Sequence, residues 1–180
     1  MSDPLSDVHV AFFRNLNLGQ ARSNSPTSAV LRDAFLTAGA GTATNFQTNG
    51  TVIFTAADPA AVVSAMLPLL TEASGYSDAV IVRPAEWLAG LAARLDPTTT
   101  AGEVSLFDAT GQVPIAPGWV DPSGCLTVLD IDSRHAVTSW SDRSHGSSAN
   151  PVLTRLLGVP VTCRGIPTMI RLAGRLPGGR

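Results

Sequence analysis

A chain of 180 residues, 44% hydrophobic and 14% charged with a net charge of −2, suits one ordinary globular domain or two small fused halves; it is neither disordered nor membrane-spanning. Its charged fraction lies below the roughly 25% of an average soluble domain, so each ionisable residue carries more positional information than usual. All 12 Lys+Arg residues are arginine, which excludes a Walker-type phosphate loop, Schiff-base chemistry and a lysine general base.

The opening MSDPLSDVHV lacks a basic stretch followed by an apolar run, and the longest apolar tract, Ala60 to Leu70, is interrupted by Ser64 and Pro68. A cytoplasmic protein of bacterial type is the expectation. Val8 to Phe13 reads as a buried strand that stops at the polar string RNLNLGQARSNSP. Ser25-Pro26 then starts a helix in which Val30, Leu31, Ala34, Phe35 and Ala38 recur at helical spacing, and Gly39 ends it. Residues 43–48 and 51–55 flank Asn49-Gly50, the pair that favours a two-residue hairpin turn. Asp58-Pro59 repeats the cap-plus-proline start, and Pro68 is expected to kink or shorten this second helix. A strand over Asp78 to Arg83 and a helix marked by Trp87, Leu88, Leu91 and Leu95 follow.

This order predicts an α+β protein whose N-terminal half, 8–95, has the ferredoxin-like β-α-β-β-α-β pattern. The second half, 100–180, is less regular, and the two are expected to form one compact unit over 1–180. The second half gives strands near Val104 to Phe107, Leu126 to Ile131 and Ala136 to Trp140, a Pro/Gly loop from Gly111 to Gly124, and helices near Ser148 to Leu157 and Pro167 to Leu176. No short-period repeat is visible.

Charge is unevenly placed. Val8 to Ala57 holds three arginines and one acid, Arg143 to Arg180 six arginines and no acid, and Asp58 to Asp142 eleven acids against three arginines. Were the acid-poor ends to fold together, they would make one electropositive face. At Arg171 and Arg175, complementing a helix dipole is the competing explanation.

Three polar strings border strand ends: RNLNLGQ (Arg14 to Gln20), FQTNGTVIF (Phe46 to Phe54) and VTCRGIPT (Val161 to Thr168). In this order they resemble the bacterial domain of unknown function 1697 family, whose members read roughly RGINVGG, then YIQSGNVVF, then TRNWNT before a short terminal helix. The likeness covers nearly the whole chain and includes the segment Pro84-Ala85-Glu86-Trp87-Leu88. Departures are Asn15-Leu16 for Gly-Ile, Gln20 for the second Gly, Phe46 for Tyr, Thr48-Asn49-Gly50 for Ser-Gly-Asn, and Gly165-Ile166-Pro167 for Asn-Trp-Asn; of the basic residues that usually follow the first string, Arg22 remains. The resemblance implies a two-part α+β fold of related subdomains sharing one sheet system, and no reaction.

Arg14, Asn17, Gly19, Gln47, Arg164 and Thr168 match the family strings and are the candidate ligand-binding residues; Asn49 joins them, although its turn position is sufficient explanation. Guanidinium forks suit phosphate or carboxylate, and amides complete such pockets by hydrogen bonds. The expected function is a binding module for a phosphate-bearing small ligand, a nucleotide or single-stranded nucleic acid. Duplex DNA is disfavoured by the acidic total and the absence of a duplex-reading motif. An enzyme of unassigned reaction in the same cleft and a structural or oligomeric domain are the alternatives. No cofactor is indicated. Asp130 and Asp132 share a strand face without a third carboxylate, so no metal site is assigned, and His9, His135 and His145 are dispersed. Gly39-Ala40-Gly41 follows a helix and precedes a strand, the reverse of a dinucleotide loop. Trp87, Trp119 and Trp140 are assigned to core packing, and Cys125 and Cys163 are expected as buried thiols.

Overall fold

In the computed structural model, which describes residues 7–20, 24–99, 101–141 and 149–177, the segment Val8–Phe13, apolar apart from His9, forms strand β1 and all 6 residues are buried. A strand covered on both faces carries a continuous apolar run, which is why no period-two alternation marks it. The chain is α+β and divides into two compact units, residues 1–90 with 173–180 and residues 91–172. Each contains one four-stranded antiparallel sheet, in place of the single sheet system the resemblance implies. No described helix is long and apolar enough to cross a membrane.

In the first unit β1 is followed by α1 (Ser28–Thr37), β2 (Thr42–Asn45), β3 (Thr51–Thr55), α2 (Pro59–Ser74), β4 (Val80–Pro84) and, without a connecting loop, α3 (Ala85–Ala92), whose last two residues fall in the second unit. The strands lie in the order β2-β3-β1-β4. Leu31 and Phe35 of α1 and Met66 and Leu70 of α2 bury themselves against Ala11, Phe13, Val52 and Phe54 of the sheet. The Phe35 and Phe54 rings stand 4.9 Å apart, centroid to centroid.

Three local expectations are corrected. Helix α1 starts later than Ser25-Pro26: Thr27 is its N-cap and accepts the Val30 N–H at 3.3 Å, while the Ser25 hydroxyl accepts the Asn17 N–H. Pro68 does not shorten α2, which runs on to Gly75 in the left-handed conformation, φ 78°. Pro68 and Ser64, whose carbonyl loses its helical donor, both lie on the exposed face, and the buried Val62, Met66 and Leu70 hold the helix together. The hairpin turn is not two residues long. Phe46 to Gly50 all lie between β2 and β3, and positive φ falls on Gln47 (62°) and Gly50 (65°) rather than on Asn49.

The second unit resolves the pairing order that the sequence left open. Its elements are β5 (Gly102–Leu106), β6 (Leu126–Ile131), β7 (His135–Trp140), α4 (Asn150–Leu157), β8 (Thr162–Gly165) and α5 (Ile166–Ala173), with strand order β6-β7-β5-β8. By position this repeats the first unit, with the helix-free stretch 107–125 standing where α1 stands there. Ser148, expected at the start of α4, lies outside the described residues. Leu153 of α4 packs with Phe107, Leu126, Ala136 and Val161, and Trp119 and Trp140 pack against that cluster. The two cysteines are not joined in a disulfide, and both are half-buried rather than buried. Cys163 Sγ lies 2.9 Å from Ser105 Oγ and 2.7 Å from Asn150 Oδ1, polar neighbours that a thiol in an apolar core would lack.

Candidate recognition rim

The string after β1 alternates by residue. Leu16 and Leu18 are buried in the first unit's core, while Asn15 and Asn17 are exposed. Two apolar pegs thus hold a loop whose amides face solvent. Arg14 sits at the strand end with its backbone fixed: its N–H donates to Ala79 O at 3.0 Å, and its carbonyl accepts the Tyr76 hydroxyl at 2.8 Å. Its guanidinium reaches Asp78 Oδ1 at 3.2 Å, and Asn15 Nδ2 donates to Asp78 Oδ2 at 2.7 Å.

Burial pushes the Asp78 carboxyl up, but the Ala79 N–H, the Asn15 amide and the Arg14 guanidinium together hold it below the usual carboxylate value.

The second string meets the first. Leu18 N–H donates to Thr48 O at 2.8 Å and Phe13 N–H to Gly50 O at 2.8 Å. A Cβ at Gly50 would stand 2.9 Å from Phe13 Cβ and 3.0 Å from Leu16 Cβ, so only glycine permits this approach. Gln47 and Thr48 are exposed, and Asn49 is half-buried with its Oδ1 accepting the Thr51 hydroxyl at 2.9 Å. Gly19, at φ 80°, is exposed with open space around it. Of the candidate residues, Arg14, Asn17, Gly19, Gln47 and Asn49 therefore belong to the two joined strings of the first unit.

The third string lies in the second unit, on β8 and the start of α5. Arg164 is 7% exposed, and its guanidinium donates to Thr162 Oγ1 at 3.0 Å and Cys163 O at 2.8 Å. Thr168 is half-buried and accepts from Arg171 at 3.4 Å. Arg171 lies in the last turn of α5, where a cation complements the helix dipole. Arg22, Arg143 and His145 lie outside the described residues.

One cluster was missed by the sequence reading. The β6–β7 hairpin folds His135 back between the two aspartates, with Nδ1 2.9 Å from Asp132 Oδ1 and Nε2 3.4 Å from Asp130 Oδ2. The spacing Asp-x-Asp-x-x-His across a predicted turn was the available signal. Among the described residues no three His, Cys, Asp or Glu groups are placed to hold a metal ion. Burial raises the Asp132 carboxyl, yet the Arg134 and His135 N–H groups and the His135 ring bring it below its ordinary value.

Depressed carboxyls such as Asp78 and Asp132 stabilise the fold at pH values above the ordinary carboxylate range, and that contribution is lost as pH falls through their lowered folded values. The urea midpoint should therefore drop as pH is lowered from about 5 to about 2. Asp132→Asn should flatten that profile; an unchanged profile would show that Asp132 contributes nothing to it.

Residues 7–106 match the profile of a family described as protein of unknown function (DUF1697). No curated protein matches the sequence. Among solved structures, a conserved bacterial protein, SP0830 from Streptococcus pneumoniae, is similar in fold: TM-score 0.64 at 16% identity, covering 95% of this chain and 98% of that one.

Proposed function

The chain belongs to the DUF1697 family of unknown function, and on that premise we propose that it is a binding module. Its recognition surface would be the rim where the Arg14–Gln20 loop meets the Phe46–Gly50 connection, and its ligand a phosphate-bearing small molecule, a nucleotide or a single nucleic-acid strand. The observation that carries this reading is the Leu18 to Thr48 backbone bond. It joins two strings that resemble the family's own and leaves Asn17 and Gln47 exposed, with the Asn15 amide beside them on Asp78. Side-chain amides donate to phosphate oxygens, and Arg14 adds a guanidinium.

Backbone strain supports the same place. Of the three non-glycine residues in the left-handed region among the described residues, Asn15 (φ 53°), Asn24 (φ 50°) and Gln47 (φ 62°), the first and last lie on this rim. Such conformations persist where the surroundings impose them, commonly at binding sites. Gln47→Gly should stabilise the fold by about 0.5–1 kcal/mol in urea denaturation while weakening ligand binding, because it relieves the strain and removes the amide.

Asp78 already offsets the Arg14 charge, so binding should depend only weakly on salt. The same ion pair favours a second reading, in which Arg14 serves to clamp the end of β1 and no ligand is bound. Titrating ATP, inorganic phosphate and a short single-stranded oligonucleotide into the wild type and Arg14→Ala separates the two. Binding that weakens about tenfold in the variant supports recognition, as expected for loss of a charged hydrogen bond. Equal affinity, or no binding with only a loss of stability, leaves the clamp.

A further inference from the structure

A cleft of about 210 Å³ opens on the second unit, and it does not depend on the rim reading. Its lining includes Leu95, Val137 and Ile166, which are buried, while Leu129 at 46% exposure and Asp130 stand toward solvent. Two successive residues of a regular strand point to opposite faces. Here both Leu129 and Asp130 line the cleft because β6 carries a bulge: Val128 pairs with Thr138, Asp130 with Val137, and Leu129 is the extra residue between them. Bulges that re-aim side chains recur beside functional sites. The backbone opposite is equally specific. A Cβ at Gly102 would collide with Ile166 Cδ1 and stand 2.8 Å from Thr99 Cγ2, so glycine lets these two lining residues close the wall.

The charge pattern selects the ligand. Asp96 and Asp130 line the cleft together with one cation, Arg94. Asp96 is held below the usual carboxylate value by the Thr98 hydroxyl and N–H, so it stays anionic. Behind Asp130, its Oδ2 lies 3.4 Å from His135 Nε2, and Asp132 holds the other ring nitrogen, so the imidazole stays beside the Asp130 carboxylate. A carboxylate above an apolar wall complements an ammonium group on an apolar body. A cavity of about 150 Å³ accommodates benzene, so this one has room for a ring and a short chain.

We propose that the cleft binds a primary amine carried on a compact apolar body, of arylalkylamine size, with the ammonium at Asp130 and the body against Leu95, Val137 and Ile166. Phenethylamine is the probe, titrated into the full chain and followed by calorimetry and amide NMR. The expected result is saturable binding that moves the signals of Leu129, Asp130 and Val137, with 2-phenylethanol and 3-phenylpropionate at least about tenfold weaker. Asp130→Asn should weaken the amine about tenfold and leave the alcohol unchanged. Leu129→Lys, at an exposed position, should produce the same loss for the amine without touching the His135 contacts. No movement of these signals at millimolar amine, equal binding of amine and carboxylate, or undiminished amine binding by both variants overturns the proposal.

Discussion

Gly50→Ala should lower the stability of the protein by about 2–4 kcal/mol, read as a fall in the urea midpoint by circular dichroism. Two costs combine. Alanine at φ 65° occupies the left-handed region, which disfavours any Cβ. The new methyl also meets Phe13 Cβ at 2.9 Å and Leu16 Cβ at 3.0 Å, atoms next to backbone that cannot swing away as a side-chain tip can. Gly19→Ala is the internal comparison: φ is 80° but nothing lies within 4 Å of the added carbon. It should cost only the backbone component, about 1 kcal/mol. Should the two substitutions prove equally costly, the close approach between the two strings is not what holds the rim together. Because the Leu18 to Thr48 bond depends on that approach, Gly50→Ala should also abolish any ligand binding by the rim.

The same contact explains why the hairpin was misread. Asn49-Gly50 taken alone favours a two-residue turn, but Gly50 is committed to packing on Phe13 and Leu16, and Phe46 N–H donates to Thr51 O at 2.7 Å. Tertiary packing therefore fixes a longer connection. Signals that are local in the chain survived: the Asp58 cap, bonded to Ala61 N–H at 3.0 Å, and Pro59 mark α2 correctly. The polar strings were visible as strings, but that Leu16 and Leu18 anchor the first of them emerges only from the packed structure. Their partners were not visible. Asp78 lies 64 residues from Arg14, and no periodicity announces an ion pair at that separation. Nor was the repetition of strand order legible in the second unit. Stretch 107–125 has no helix to match α1, and the correspondence rests on pairing geometry: Val10 faces Arg83 across β1 and β4 as Val104 faces Arg164 across β5 and β8.

That correspondence carries the last prediction. Arg83 and Arg164 are both buried, and each guanidinium donates to the carbonyl of the preceding residue at 2.8 Å. Arg164→Ala should cost about 2–4 kcal/mol, because it removes the donor to Thr162 Oγ1 and Cys163 O and empties the space of a long side chain. Arg164→Met should cost roughly half as much, since it keeps the aliphatic stem's packing and loses only the polar head. Arg83→Ala should fall in the same range, with the contact of its guanidinium over the Trp87 ring, at 5.4 Å, lost as well. Parallel losses at the two sites would mark a shared device that pins an edge strand in each unit. Were Arg164→Ala to leave the urea midpoint unchanged, its hydrogen bonds would be incidental, and the sequence expectation that this arginine meets a ligand would gain the ground that pinning had lost.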